Sequence, residues 1–203
     1  MSELKIGIIV GSIREKSESG RIGHYIKELL EELDASVSVE YFALRDLEIP
    51  LWNEDKWKSG SEMKAFWQPI SDCLKSCDGF VVISPEWAGM VPPHLKNFLL
   101  MCDGGELAHK PAQIVAVSSG TGGAYPVAEL RMSGYKNNFI WWMPDHVILR
   151  QVESLFSSDP ASDLDGRLMA RLVYALTFLV ETSRAMAPVR QKHQNLKLYK
   201  NGM

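Results

Sequence analysis

Short apolar runs along the chain alternate with longer segments in which apolar residues recur every three or four positions. The runs predict strands over residues 6–10, 37–41, 80–83, 114–117 and 147–149. The longer segments predict amphipathic helices over residues 22–33, 63–74, 95–102, 124–133 and 164–180. Pro69 falls inside the second of these helices and predicts a kink or a break there.

The regular alternation of strands with helices favours a parallel sheet that is covered by helices on both faces. Residues 37–41 alternate apolar and polar side chains, which is typical of an edge strand with one wet face. An edge strand that comes second in the sequence fits the order 2-1-3-4-5 better than the six-stranded dinucleotide-binding order. The predicted fold class is therefore α/β, a flavodoxin-like three-layer sandwich with a five-stranded parallel sheet.

The composition indicates an ordinary globular protein, with 203 residues, 46% apolar and 23% charged. We expect one domain over residues 1–187 and a polar, basic tail over residues 188–203. The tail lacks periodicity, which fits a disordered or surface-lying segment or an arm that reaches a second subunit. The net charge of −3 argues against a nucleic-acid partner bound through bulk charge.

Cysteine and histidine residues give no sign of a metal site or a disulfide framework. The three cysteines form no CxxC pair, and the histidines show no metal-ligand spacing, so no metal is predicted. The N-terminus has no signal-peptide pattern, and no apolar run approaches the length of a membrane span. We therefore expect a cytoplasmic protein with no membrane partner.

The first predicted strand ends in a loop rich in serine and arginine, over residues 11–21. Serine hydroxyls and backbone N–H groups at a helix N-terminus are typical of a phosphate site. Arg14 or Arg21 would add a charge-assisted contact. Neither the dinucleotide nor the triphosphate glycine fingerprint is present, which favours a single phosphate. The alternative is a helix start capped by Ser19, with no ligand.

The third predicted strand ends in a loop of Pro, Gly and aromatic residues, over residues 84–97. Pro85 and Gly89 predict a tight backbone path, and Trp87 would lie against a flat ligand or pack in the core. Glu86 is interpreted as a solvated or capping carboxylate. Pro92 or Pro93 fits the first turn of the next helix, on whose flank Lys96 and Asn97 would stabilise the loop.

The fourth predicted strand ends in the glycine-rich stretch over residues 118–123. Glycine permits a close backbone approach, and free N–H groups there would bond carbonyl oxygens or ring nitrogens of a ligand. The alternative is a flexible turn. Because strands one, three and four end side by side in the predicted sheet, the three loops converge on one crevice. A phosphate cradle, a flat wall and a set of amide donors together match the needs of flavin mononucleotide (FMN).

The three loops also resemble one family, the NADPH-dependent FMN reductases of flavodoxin-like fold, which include quinone, chromate and azo reductases. The similarity covers roughly residues 5–180. The residues that match its three motifs, in order along the chain, are Gly11, Ser12, Arg14, Ser17 and Ser19; Pro85, Glu86, Pro92, Leu95, Lys96 and Asn97; and Ser118, Gly120, Gly123, Leu130 and Arg131.

The resemblance implies an FMN-binding domain whose site residues come from all three loops. The expected FMN contacts are Ser12, Arg14, Ser17, Ser19 and Gly20 for the phosphate; Pro85, Glu86, Trp87, Ala88 and Gly89 along the ring; and Ser118, Ser119, Gly120 and Gly123 at its pyrimidine end or phosphate side. NADPH or NADH would supply electrons, and a quinone, azo compound or flavin would accept them. No catalytic acid or base is assigned, because the cofactor carries the chemistry.

The resemblance further implies a homodimer or homotetramer with FMN sites near the subunit interfaces. Trp141 and Trp142 would pack under the fifth strand, or contribute to a substrate wall or such an interface. Two alternatives remain open from the residues: an FMN-binding electron carrier without turnover of its own, and a non-flavin domain that binds another phosphorylated ligand.

The sequence departs from the family pattern in the second loop. Trp87 and Ala88 stand where the family has Tyr-Asn, and Met90 stands where it has Ser. Ala88 offers no side-chain amide and Met90 offers no hydroxyl. We therefore expect FMN to bind there through backbone groups, in a pocket that is more apolar and more crowded than usual.

Overall fold

Five parallel strands form a single sheet in the order β2-β1-β3-β4-β5, which confirms the predicted topology. The structure, a computed structural model, describes residues 3–157, 162–196 and 198. The strands are β1 Leu4–Val10, β2 Val37–Ala43, β3 Gly79–Pro85, β4 Pro111–Val117 and β5 Trp141–Leu149. Every residue of β3 and β4 is buried, as expected for central strands covered on both faces.

Helices cover both faces of this sheet and complete the three-layer sandwich. They are α1 Glu18–Leu33, α2 Leu44–Leu47, α3 Glu62–Ser76, α4 Pro93–Met101, α5 Ala124–Met132, α6 Asp163–Ala185 and α7 Ala187–Lys192, with short 3-10 turns at Glu54–Trp57 and Val152–Ser154. One apolar core lies between the sheet and α1 and α6. The other lies between the sheet and α3, α4 and α5.

The predicted break at Pro69 is wrong, because α3 continues through this residue. Proline removes one backbone hydrogen bond and crowds the preceding turn. On either side of it, Trp67 and Leu74 are buried against the sheet, 3% and 0% exposed. Tertiary packing of the apolar stripe therefore outweighs the local cost of the proline.

The fifth strand is longer than predicted and begins with Trp141 and Trp142, which therefore lie in β5 and not under it. The sequence hid this start because Pro144, Asp145 and His146 interrupt the apolar run. A register shift near Ala112 lets β5 stay paired with β4 through this polar stretch.

Part of the predicted tail is helical. Residues 187–192 form α7, and Arg190 of this helix pairs with Asp78 at 2.6 Å, just before β3. The rest of the tail beyond residue 196, apart from residue 198, lies outside the described residues. Across the described ranges, no helix combines the length and the apolar character that crossing a membrane requires.

Candidate functional site

The carboxyl ends of β1, β3 and β4 lie side by side at one edge of the sheet. Val10 pairs with Ile83, and Pro85 pairs with Val117, so the loops after these strands start at nearly the same level. These are the three loops that the sequence analysis singled out. Open α/β sheets bind ligands at this edge.

The first loop ends on a helix cap that differs from the predicted alternative. Ser17 caps α1, and its Oγ accepts a hydrogen bond of 3.1 Å from the N–H of Gly20. Ser19 already lies inside the first turn and is 2% exposed, so the prediction of Ser19 as the cap is wrong. A cap residue needs extended backbone before the helix, which Ser17 has.

Several backbone N–H groups of the first loop are left for a ligand. Within the part of the chain that the structure describes, the N–H groups of residues 15–19 donate to no protein atom. They stand at the N-terminus of a 16-residue helix, which attracts an anion. A cavity of about 280 Å³ lies beside them, and its lining includes Ser12, Arg14, Ser17 and Gly20. The loop therefore offers both the donors and the space for a phosphate.

The two arginines considered for the phosphate are used differently. Arg21 donates to the carbonyls of Val152 and Leu155 at 2.6 and 2.9 Å and pairs with Glu18 at 2.7 Å. Its guanidinium therefore ties α1 to the segment after β5. Arg14 is exposed and makes no ion pair with any described residue, which leaves its charge available.

Among the further residues that line this cavity, Tyr41 and Arg45 bond to the first loop and were missed from the sequence. The Tyr41 hydroxyl donates to the carbonyl of Gly20, and Arg45 donates to the carbonyl of Glu15, each at 3.1 Å. They come from β2 and α2. Only the parallel pairing of β1 with β2 brings them to the first loop, and no local motif marks them.

The tip of the second loop is a tight turn. Trp87 and Met90 exchange backbone hydrogen bonds of 3.0 and 2.9 Å, and the central residues Ala88 and Gly89 have φ values of 51° and 73°. Positive φ at both central positions defines a type I′ turn, for which Asn-Gly is a favoured pair. Gly89 adopts a positive φ without strain. Ala88 does not, because its Cβ crowds the backbone in the left-handed region. An Asn at this position therefore has a backbone role as well as a side-chain amide.

The second loop is anchored to α5 by an ion pair. Lys96 Nζ lies 2.9 Å from one carboxylate oxygen of Glu129, and the other oxygen accepts the N–H of Val91 at 2.8 Å. Burial raises the pKa of Glu129, but these two donors outweigh it and lower the pKa overall. The carboxylate therefore stays charged and holds the loop, and the predicted stabilising role of Lys96 is confirmed.

Asn97 holds the segment that follows α2. Its Nδ2 donates to the carbonyl of Pro50 at 2.9 Å, and its Oδ1 accepts the N–H of Trp52 at 2.8 Å. With both ends of the amide bonded, Asn97 fixes this segment against α4, whereas the predicted role was to stabilise the second loop. The prediction that Pro92 or Pro93 lies in the first turn of the next helix is confirmed, because Pro93 is the first residue of α4.

Glu86 joins the second loop to the third. Its Oε2 accepts the N–H of Gly123 at 2.5 Å. Gly123 is the N-cap of α5 with a φ of 99°, and having no side chain it cannot cap the helix itself. A carboxylate from the neighbouring loop instead accepts the N–H of this N-cap residue, next to the positive end of the helix dipole. This hydrogen bond also removes the Gly123 N–H from the donors available to a ligand.

The third loop is fixed by the segment after β5 rather than being a free turn. Carbonyl groups of residues 118–122 accept hydrogen bonds of 2.8–3.2 Å from Arg150, Gln151 and Val152. The Gly120 N–H donates to Ser118 Oγ at 3.2 Å. Among described atoms, the N–H groups of Ser119, Thr121 and Gly122 have no acceptor. These amides are the donors that the third loop can offer.

Direct contacts connect the three loops into one site. The Arg14 guanidinium carbon lies 5.3 Å from the centroid of the half-buried Trp87 ring, which joins the first loop to the second. Glu86 and Gly123 join the second to the third. Trp141 and Trp142 begin β5 at the opposite edge, so a role for them in the wall of this crevice is ruled out. In the described ranges, no group of three or more His, Cys, Asp or Glu is placed to hold a metal ion.

Comparisons with known proteins agree with this geometry. By sequence, the chain is 28% identical to an NADPH azoreductase from Bacillus sp. (strain OY1-2) over 117 residues, 58% of this chain and 60% of that protein. It is 27% identical to a quinone reductase from Pseudomonas putida over 127 residues, 59% of this chain and 63% of that protein. The matched part thus spans less than two thirds of these relatives' length.

By structure, the chain is similar to FerB, a flavoenzyme NAD(P)H:(acceptor) oxidoreductase from Paracoccus denitrificans. The TM-score is 0.72, with 20% identity over 90% of this chain and 98% of that one. At that identity the likeness establishes the fold. The sequence model of the family described as NADPH-dependent FMN reductase matches residues 4–153, which are most of the chain and include all three loops of the crevice. The chain therefore belongs to the NADPH-dependent FMN reductase family.

Proposed function

We propose that the protein is an FMN-dependent NAD(P)H oxidoreductase that passes electrons to a small acceptor such as a quinone, an azo compound or a flavin. The observation that carries this proposal is the junction of the three loops, in which unpaired backbone N–H groups, an aromatic ring and a phosphate-sized cavity meet. The names of the sequence relatives, an azoreductase and quinone reductases, support the acceptor class.

The residues present fit FMN. The free N–H groups of residues 15–19, with Ser12, Ser17 and Arg14, would hold the phosphate beside the N-terminus of α1. Trp87 would lie along the ring, together with the backbone of residues 85–89. The N–H groups of Ser119, Thr121 and Gly122 would donate to the polar edge of the ring.

The chain's own residues bind and orient rather than exchange protons. When bound, FMN supplies two-electron chemistry between NAD(P)H and the acceptor. The backbone N–H groups of the third loop provide fixed dipoles that would favour negative charge at the ring edge. The carbonyl oxygens of Gly120, Thr121 and Gly122 do not oppose this effect, because they accept hydrogen bonds from Arg150 and Gln151. Ala88 and Met90 contribute no side-chain hydrogen-bond donor to the second loop, so acceptor recognition at these two positions relies on shape.

We further propose that the chain assembles with a second copy of itself through the face formed by α4 and α5. Large apolar side chains are exposed there or in the adjoining second loop: Met90 at 53%, Leu100 at 59%, Tyr125 at 66% and Met132 at 78%. Such surfaces mark interaction sites. Tyr125 lies beside Gly89, so this face borders the crevice, and a second copy would border it too.

Anaerobic reduction of bound FMN tests the proposed activity. The FMN-saturated protein should lose its visible flavin absorbance on addition of NADPH or NADH, and regain it with a quinone, an azo dye or free flavin. A colourless protein that retains no FMN would contradict the cofactor assignment. A yellow protein that neither nucleotide bleaches would contradict the reductase activity and favour the electron carrier.

Light scattering tests the assembly. The wild type should run as a dimer or a tetramer, and Met132→Glu should shift it toward monomer. Tyr174→Glu, which alters an exposed aromatic residue on α6, serves as the matched control. If both variants keep the wild-type mass, the α4–α5 face is not the interface.

A further inference from the structure

A second recessed region lies at the amino edge of the sheet, opposite the FMN crevice. His109 precedes β4, and Trp141 is the first residue of β5, so both stand where parallel strands begin. Together with Tyr135, Lys136 and Phe139 they line a cavity of about 340 Å³, here named the aromatic cavity. Its size falls in the range of small-molecule sites.

The walls of the aromatic cavity are fixed by hydrogen bonds. The His109 N–H donates to the carbonyl of Phe139, whose own N–H donates to the carbonyl of Tyr135, both at 2.9 Å. The buried Asn138 spans the same loop, donating to the carbonyl of Gly134 at 2.6 Å and accepting the N–H of Ile140 at 3.0 Å. The cavity is therefore formed before any ligand arrives.

Aromatic surface in this cavity is exposed to solvent. Trp141 is 45% exposed and Tyr135 is 46% exposed. The rings of His109 and Phe139 lie 5.8 Å apart at 50° to one another, and both residues have φ of 56°, in the left-handed region. A flat apolar ring placed against Trp141 and Phe139 would remove this surface from water and add ring–ring contacts.

The charge around the aromatic cavity is positive. Lys136 is exposed, and among the residues described it has no carboxylate within ion-pair distance. None of the described residues that line the cavity is acidic. A neighbouring cavity of about 550 Å³ shares His109, and its described lining carries Lys75, Lys110 and Arg190 with one acid, Asp78, which is ion-paired with Arg190. The aromatic cavity and its neighbour therefore favour an anionic ligand over a cationic one.

We propose that the aromatic cavity binds a small planar aromatic anion, such as an aromatic carboxylate or sulfonate. The ring lies against Trp141 and Phe139, and the anionic group is directed toward Lys136 and the basic cavity beyond His109. The site is at the other edge of the sheet from the FMN crevice, so it goes beyond the proposed oxidoreductase function and does not depend on it.

Calorimetric titration of the FMN-saturated protein with naphthalene-2-sulfonate tests this site, and the Trp141→Ala variant distinguishes it from binding of the sulfonate at the acceptor site next to FMN. We expect saturable binding of one equivalent per chain. Trp141→Ala should weaken it roughly tenfold through loss of the ring wall. Lys136→Gln should weaken it about threefold. The neutral naphthalene-2-sulfonamide should bind more weakly than the sulfonate and should not respond to Lys136→Gln.

Tyr174→Ala removes an exposed aromatic residue elsewhere on the surface and should leave the affinity unchanged. Binding that is absent, or equal in all variants, would overturn the proposal. So would binding that disappears as protein concentration rises, since the cavity would then be covered by a second copy. If Trp141→Ala fails to fold, the Lys136→Gln variant and the sulfonamide still decide the outcome.

Discussion

The two edges of the sheet differ in how the unpaired backbone groups at the helix ends find hydrogen-bond partners. At the carboxyl edge, helices α1 and α5 begin, and the loops leave backbone N–H groups without protein partners. At the amino edge, helices end and present carbonyl groups, and side chains satisfy them. Lys110 donates to the carbonyls of Leu74, Lys75 and Glu106 at 2.8, 3.0 and 2.8 Å.

This difference follows from the polarity of helices in an α/β sheet. Helix N-termini attract anions and leave donors for a ligand, whereas C-termini attract cations, which the chain can supply itself. The carboxyl edge is therefore built for binding, and the amino edge for stability. Only side chains, as in the aromatic cavity, can make a binding site at the amino edge. Mutations at the carboxyl edge should therefore change ligand affinity, and mutations at the amino edge should change stability.

The largest expected effect is on stability, at the amino edge. Lys110 is 5% exposed, and burial lowers its pKa to about 8. Lys110→Met would remove one hydrogen-bond donor from each of three carbonyl groups, and we expect a loss of about 3 kcal/mol in the free energy of unfolding. Urea denaturation measures it, with the exposed Lys75→Met as control. FMN affinity should not change. A weakened affinity in the folded variant would show that the two edges are coupled.

The next effect is on binding, at the carboxyl edge. Arg14→Ala removes a cation that lines the phosphate cavity and makes no ion pair with any described residue, and we expect FMN to bind about tenfold or more weakly. Fluorescence titration of apoprotein with FMN measures this. Arg167→Ala, an exposed arginine on α6, is the matched control. The unfolding free energy of Arg14→Ala should stay within about 0.5 kcal/mol of the wild type. Undiminished FMN affinity would contradict the phosphate role.

A smaller effect concerns the turn of the second loop. Ala88 holds a left-handed conformation that Asn adopts more readily, so Ala88→Asn should stabilise the protein by about 0.5–1 kcal/mol. Ala128→Asn, at an exposed position inside α5, should instead destabilise it by about 0.6 kcal/mol. Thermal unfolding compares the two. Effects of the same sign would mean that backbone conformation does not control position 88.

The smallest effect is a pH dependence at the amino edge. The Ser36 side chain and N–H, together with Arg184, lower the pKa of Asp34 to about 2. A carboxyl whose folded-state pKa is depressed contributes stability above its unfolded pKa of about 3.9, and this is lost as pH falls toward 2. Asp34→Asn should remove that part of the acid sensitivity. Stability curves of wild type and variant should therefore converge between pH 4 and pH 2; parallel curves would refute the linkage.

Much of this fold could be predicted from the sequence, because the patterns that indicate strands and helices lie within short stretches of consecutive residues. The strands β1, β3 and β4 are continuous apolar runs, and the alternation in residues 37–41 placed β2 at an edge. The flank positions of Lys96 and Asn97 followed from residue type and position. The start of β5 could not be read, since its polar middle is accommodated only by a shift in pairing with β4.

The sequence by itself determined the sheet order and the three loops that gather at its carboxyl edge, because hydrophobic periodicity and strand polarity are properties of consecutive residues. The tertiary structure decided which donors stay free. The Arg21 guanidinium donates to the carbonyls of Val152 and Leu155, and the Gly123 N–H donates to Glu86, so these donors are already used within the protein. Tyr41 of β2 and Arg45 of α2 also line the phosphate cavity. Hydrogen-bond partners distant in sequence leave no periodic signal, so only packing reveals them.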